Sequence, residues 1–325
     1  KLSREYILPM EGPPILDRPG GSPLYAAGGA AVWEKEIGLL ARVGEDYPRL
    51  WIKQIEKYGL DASGIHVLPG SVDLRSFRAY DEELLLSGTN PVGHFARRGL
   101  PFPKALLGYQ PHEDTSMDLQ NIDPAVPRVT DIPESYLEVD VLHICPLNFH
   151  TQGRLLAAFK RGSPKTISLD PSLHYMAPAL FNQMRVLLDG LTVFMPSEEE
   201  VRNLFWGETH DLWEMAERLS ALGCEMVVIK RGKQGQLLYH TESKKRWEIP
   251  AYASRVADPT GAGDAFCGGF LAGYHKTGDP LIAAAYGNVS ASLSMEGSGP
   301  FYPIDVLPGL AQARLGALQE MIREV

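Results

Sequence analysis

The sequence predicts an α/β protein, a mostly parallel central sheet flanked by helices on both faces, with a small β lid. Three observations predict it. Short β-branched apolar runs recur from about Leu39 onward, helical stretches separate them, and the runs are apolar on both faces, as strands buried between helix layers are. No tract of linker composition divides the 325 residues, so one domain, 1–325, is expected.

The elements follow in order. The chain opens "KLSREYILPM" with no initiator Met and no preceding hydrophobic run, and since an α/β domain usually opens on a buried strand, residues upstream of Lys1 are expected to be missing from it. Residues 71–88, "SVDLRSFRAYDEELLLSG", alternate polar and apolar and read as a strand with one wet face. Together with roughly 10–25 they are expected to form the lid, drawn from about 10–25 and 70–100. Residues 99–135 are rich in Pro, Asp and Gln and read as an irregular insertion. "VDVLHICPL" (139–147), "KTISLDPS" (165–172), "LTVFMPSEEE" (191–200) and "EMVVIKRG" (225–232) read as buried strands. "TQGRLLAAFK" (151–160) and "DLWEMAERLSALG" (211–223) read as helices, the second stopped by Gly223. In such sheets ligands bind beyond the carboxyl ends of strands, and Asp170, Ser197 to Glu200 and the Asp258 loop would all fall on that edge.

Composition narrows the function classes. Hydrophobic residues make up 44% and charged residues 22%, the profile of a globular protein with a sizeable core. A net charge of −9 and only short basic clusters, "KRGK" and "SKKRW", argue against a nucleic-acid partner. No apolar run approaches 18 residues, so no membrane span is read, and no signal peptide. The three cysteines, Cys145, Cys224 and Cys267, are widely spaced in apolar contexts. They fit neither a disulfide framework nor a metal pattern, which suits a reducing, cytoplasmic setting.

The stretch "DPTGAGDAFCGGF" (258–270) concentrates the chemistry. Pro259 biases Asp258 toward extended backbone, and Gly261 and Gly263 leave room for a ligand at the main chain. The helix that follows, roughly 263–275, points its amino end and dipole at the loop, which favours an anion. Asp264 is equally what a helix start selects for stability, so the local physics leaves both readings open. The dinucleotide fingerprint fails because Phe266 stands where its third glycine would be, and the nucleotide P-loop is absent.

These residues resemble the ribokinase family, the phosphofructokinase-B group of carbohydrate and nucleoside kinases, whose signature is D-T-x-G-A-G-D-x-F. Pro259 replaces a common Thr. "GGSPLYAAGGAAVWEKEIGLLARVGED" (20–46), "PSEEEV" (196–201), "VVIKRGKQGQLLY" (227–239) and "GNVSASLSMEGSGP" (287–300) resemble further family segments, in the family's order. The resemblance implies a ribokinase-like three-layer sandwich with a lid. It implies an ATP-dependent kinase acting with Mg2+ on a hydroxymethyl group of a sugar, polyol or nucleoside.

Asp264 would then be the general base, and the amides of Gly261, Ala262 and Gly263 an anion hole for the transferred phosphate. Glu200 would help place magnesium with Ser197, which stands where the family has Asn. "SEEE" also reads as a capping box, and the two roles are compatible. Lys230 and Gly232 would lie near the nucleotide phosphates or ribose, with Thr260 beside them and Asn288 beside the adenine. Gly20 and Gly21 resemble the loop that closes on the sugar, and Glu5 the acid that grips substrate hydroxyls. Arg75, with Phe77 and Arg78, lies on the lid and is a substrate-binding candidate, as is Asn148 after its strand; alternation does not say which lid face is inward. Several members bind a monovalent cation such as K+ near the loop, and lid strands can pair across a homodimer or cover one subunit. Two rival readings remain: a non-catalytic sugar- or nucleotide-binding relative, and a nicotinamide-dependent oxidoreductase, against which Phe266 counts.

Overall fold

The computed structural model describes residues 1–111, 123–319 and 323–324. Its first half runs β1 (Ser3–Leu8), β2 (Ile15–Gly20), α1 (Ser22–Ala31), β3 (Ile37–Gly38), β4 (Ala41–Gly44) and α2 (Arg49–Lys57). Then come β5 (Leu60–Asp61), β6 (Ile65–Leu68), β7 (Arg75–Tyr80), β8 (Leu86–Ser87) and α3 (Pro91–Arg97). The second half begins β9 (Val141–Ile144), α4 (Phe149–Phe159), β10 (Thr166–Leu169), α5 (Arg185–Leu188), β11 (Val193–Phe194) and α6 (Glu198–Leu204). It continues α7 (Leu212–Ser220), β12 (Met226–Lys230), β13 (Gln236–His240), β14 (Arg246–Ile249), α8 (Ala262–Thr277), α9 (Pro280–Glu296), α10 (Leu310–Gln319) and β15 (Arg323–Glu324).

The strands of the second half form a sheet of seven, ordered β15-β14-β13-β12-β11-β10-β9. β9 to β12 are parallel, and the pairings beyond β12 are antiparallel, so the sheet is mixed. Strand alternation feeds two cores. Val227 and Ile229 of β12 join Leu155, Leu187, Leu204 and Leu219 on one face. Met226 and Val228 join Phe266, Phe270 and Ala284 from α8 and α9 on the other. Helices on both faces give the three layers the sequence predicts.

A second sheet, ordered β2-β1-β7-β8, forms the lid. β1 pairs parallel with β7, Glu5 beside Ser76 and Ile7 beside Arg78, which fixes the faces. Tyr6, Leu8, Phe77 and Ala79 pack outward under Phe95 and Leu106. Glu5, Arg78 and Tyr80 share the opposite, polar face. Within 99–135, short turns occur at Lys104–Leu106 and Val129–Asp131; residues 112–122 of that expected insertion lie outside the described residues.

Between β9 and β3–β4 the sheet is interrupted. β3–β5 and β4–β6 pair apart from the seven strands. A cavity of about 840 Å³ lies in the gap, walled by Val141–Ile144 on one side and Ile37–Leu40 on the other.

Two helices meet almost backbone to backbone. A methyl at Gly29 of α1 would stand 2.2 Å from the Ala265 carbonyl oxygen, and one at Gly268 of α8 1.8 Å from that of Ala26. The run of small residues in "YAAGGAA" and "AFCGGF" is what permits this approach.

Candidate active site

The Asp258 loop ends at the amino end of α8. Gly261 caps that helix with φ 76°, a left-handed conformation that favours glycine, and a side chain there would also meet the Tyr25 ring. The Ala262 amide already donates to the Pro259 carbonyl at 3.2 Å, and the Ala265 amide to Gly261 at 2.8 Å. The amides of Gly261, Gly263 and Asp264 make no hydrogen bond to a described residue. Of the three amides in the expected anion hole, two are open and the third sits in a turn.

Asp264 lies in the first turn of α8, half-buried, beside Ser22 at the start of α1. Burial raises its pKa above the ordinary carboxylate range, while the charges of Lys230 and Arg78 pull it back in part. Lys230, at the end of β12, sets its Nζ 2.5 Å from Asp170 Oδ2 and 3.6 Å from Cys267 Sγ. A Cβ on Gly263 would lie 3.8 Å from the same Nζ, so this cation stands beside the first turn of α8. Burial works against its charge, and Asp170, Cys267 and Glu200 outweigh it and hold Lys230 protonated. Asp170 itself is raised, chiefly by burial.

Ser197 and Glu200 make a capping box. Ser197 Oγ accepts the Glu200 amide at 3.2 Å, and Glu200 Oε2 accepts the Ser197 amide at 2.6 Å. Ser197 also bridges to Lys230 across the sheet edge. Oε1 of Glu200 and Oδ1 of Asp170 make no hydrogen bond among the described residues.

The lid closes on this loop through charges far apart in sequence. Arg18 of β2 donates to Asp258 at 2.8 Å, to Glu5 at 3.2 Å and to the Tyr25 hydroxyl at 2.8 Å, and also to Ser298. Tyr80 and Thr260 join hydroxyls at 3.0 Å, so Thr260 ties loop to lid. Gly20 lies against the Glu5 carboxyl, where a methyl would come within 2.1 Å, and the Gly21 amide donates to Glu5 at 3.3 Å.

Other sequence candidates stand apart. Arg75 points to the opposite lid face, where it donates to Asp73 and to the Ala105 and Leu107 carbonyls. Glu5 is fully buried and surrounded by donors. Asn288 is 3% exposed, exchanges hydrogen bonds with Gln236 and donates to the Pro250 carbonyl; it braces α9 against the sheet and offers nothing to a base. Asn148 caps α4, accepting the Thr151 amide at 2.8 Å. Gly232 sits in the exposed β12–β13 turn with φ 55°. Arg18, Tyr25, Ser22 and Tyr80 were not singled out from sequence. Asp170 was visible there only as a strand-end acid.

An α/β sandwich with a polar lid over a glycine loop and an acid at a helix start defines a phosphotransferase of the ribokinase fold. A solved structure from Escherichia coli, described as a putative ribokinase II in complex with ATP and Mg2+, superposes with a TM-score of 0.71 at 19% identity, covering 98% of this chain and 97% of that one. The Burkholderia thailandensis nucleoside kinase in complex with inosine gives 0.69 at 17% identity, over 97% and 94%. The chain belongs to the pfkB family of carbohydrate kinases, whose profile matches residues 136–306, just over half its length. Over 263 residues it is 29% identical to a cytidine kinase of Thermococcus kodakarensis, covering 81% of this chain and 82% of that protein. It is a sugar or nucleoside kinase, an enzyme that transfers a phosphoryl group to an alcohol. No helix among the described residues is long and apolar enough to cross a membrane.

Proposed function

We propose that this chain, as one kinase domain, passes the γ-phosphate of ATP to a hydroxymethyl group of a sugar, polyol or nucleoside, with Asp264 as the general base. One observation carries the reading: a half-buried carboxylate stands at a helix start, flanked by open amides and the Lys230 ammonium. Phosphoryl transfer asks little covalent chemistry of a protein; it asks for positioning and for charge where charge develops. The Gly261 and Gly263 amides and the dipole of α8 would face the migrating phosphoryl oxygens, and Lys230 would neutralise them. Asp264, raised by burial, would accept the hydroxyl proton as the oxygen attacks. Lid contacts through Arg18–Asp258 and Tyr80–Thr260 would keep water from competing as acceptor.

The residues suit magnesium, which takes one or two carboxylates and keeps its waters. Glu200 and Asp170 at the sheet edge each keep an oxygen uncommitted. They would hold the ion, which when bound screens the nucleotide phosphates. A monovalent cation held by carbonyls near Asp258 belongs to the same reading, and turnover in K+ against choline salts tests it.

The deciding experiment is a coupled assay for ADP release against a panel of sugars, polyols and nucleosides. The native chain should phosphorylate at least one. Asp264→Asn should lose about 10²–10⁴ in kcat with ATP affinity kept. A variant as fast as the native chain would remove Asp264 from the role.

A further inference from the structure

Glu5 holds the lid position from which an acid would grip substrate hydroxyls, yet it has no lone pair to offer. Its Oε1 accepts from Arg78 at 2.7 Å, from the Gly21 amide at 3.3 Å and from Ser3 at 3.5 Å. Its Oε2 accepts from the Tyr25 hydroxyl at 2.7 Å and Arg18 at 3.2 Å. An ionised carboxylate has about four acceptor sites, so these donors fill it.

Arg78 is the contrary case. It shares the lid's inner face with Glu5, and its side chain is 27% exposed. One guanidinium nitrogen is fixed on Glu5, and the other N–H groups have no partner among the described residues. Tyr80, two residues on and on the same face, bonds Thr260 of the Asp258 loop, and the charges of Arg78 and Asp264 act on each other, so Arg78 lies on the side of the lid that faces the loop. All three guanidinium nitrogens of Arg18, by comparison, are engaged. Arg78 is thus an uncommitted recognition group on this face, which it shares with Ser76, and it is a pure donor, planar and always charged.

We infer that Arg78 selects the acceptor substrate, and that it does so through a lone-pair oxygen, a carboxylate or carbonyl, on the molecule that carries the hydroxymethyl group. Glu5 is the positioning residue that aims the fork, and it takes no substrate hydroxyl. The substrate class narrows accordingly to sugar acids and to nucleosides whose base presents a carbonyl. Sugars that offer only hydroxyls in ring form fit less well, because each hydroxyl oxygen that accepts from the fork also carries a proton the guanidinium cannot take, whereas a carboxylate or carbonyl carries none. This rests on the kinase reading for the placement of the acceptor beside Asp264.

Binding and turnover separate the two claims. Calorimetry on the Asp264→Asn chain, with a ketoaldonic acid, cytidine, uridine, ribose and fructose as probes, reads recognition without chemistry. At least one of the first three should bind, and ribose and fructose should bind at least tenfold more weakly. The acid and the two nucleosides tell carboxylate from carbonyl. In the otherwise native chain Arg78→Met should raise KM for the bound class 10- to 100-fold while the KM for ATP holds, and Arg78→Lys should recover part of it. Glu5→Gln should raise the same KM by a smaller factor and leave kcat near native. Ribose or fructose as the tightest ligand overturns the inference, as does an acceptor KM indifferent to Arg78→Met. Binding of the acid or the nucleosides without any phosphoryl transfer would instead sink the kinase reading and leave the Arg78 assignment standing.

Discussion

Two neighbouring glycines should fail in opposite ways when a methyl is added. At Gly263 the new Cβ meets only Lys230 Nζ, at 3.8 Å, and the backbone is already helical. Gly263→Ala should therefore fold normally and gain roughly 0.5 kcal/mol from reduced backbone entropy. The methyl nevertheless occupies the space between the open amides and the ammonium, where a phosphoryl oxygen would sit. Losing one such donor contact costs about 10²–10³ in kcat. At Gly261 the φ of 76° already disfavours alanine by about 1–2 kcal/mol. The Cβ would also lie 2.1 Å from the Tyr25 ring, which cannot swing aside because Glu5 and Arg18 hold its hydroxyl. Overpacking adds about 1–3 kcal/mol, so Gly261→Ala should lose about 2–5 kcal/mol in total. Urea melts and steady-state rates on both variants make the test. A Gly263→Ala chain with native kcat would refute the anion-hole assignment, and a Gly261→Ala chain as stable as the native one would refute the packing argument.

Further outcomes follow from the charges. Asp264 must be ionised to accept a proton and its pKa is raised, so kcat/KM should fall as pH drops, with the acid limb above the ordinary aspartate range; a pH–rate profile reads it. Glu200→Gln keeps the capping box, since Gln serves at that position, but removes a charge; half-maximal activity should need about tenfold more Mg2+ in a metal titration. Among the described residues His143 donates or accepts only toward Ser168 and its Nε2 has no partner, and burial lowers its pKa to about 3. The unfolded chain takes up a proton near pH 6.5 that the folded chain refuses, so stability should fall with decreasing pH below that point. The His143 share of that change should be a loss of about 2 kcal/mol at pH 5, read as the difference between the native chain and His143→Gln in denaturant melts at the two pH values.

The parallel half of the sheet was legible because strands buried on both faces leave continuous apolar runs, as "VVI" of β12 does. The turn into α8 was legible for a different reason, since its glycines and Asp264 are neighbours in the chain. What stayed hidden was pairing across distance. Alternation marked both Arg75 and Arg78, and only the β1–β7 register tells the outward arginine from the inward one. Glu5, Arg18, Arg78 and Asp258 meet from four separate segments, so the saturation of Glu5 had no local signature. Asn288 looked free to bind because its partner Gln236 lies 52 residues away. The antiparallel extension at β13 to β15 was read only as far as the strand-turn-strand after Lys230.

The glycine contacts between α1 and α8 have a bearing on how this pocket can change. Ser22 and Asp264 stand at the amino ends of two rods whose main chains touch, so their separation is a fixed gauge set by peptide groups rather than by exchangeable side chains. Drift toward a bulkier or slimmer acceptor cannot widen or narrow that gauge without prising the rods apart. Adaptation is channelled to β2 and β7, whose side chains can be swapped while Ser22 and Asp264 keep their spacing.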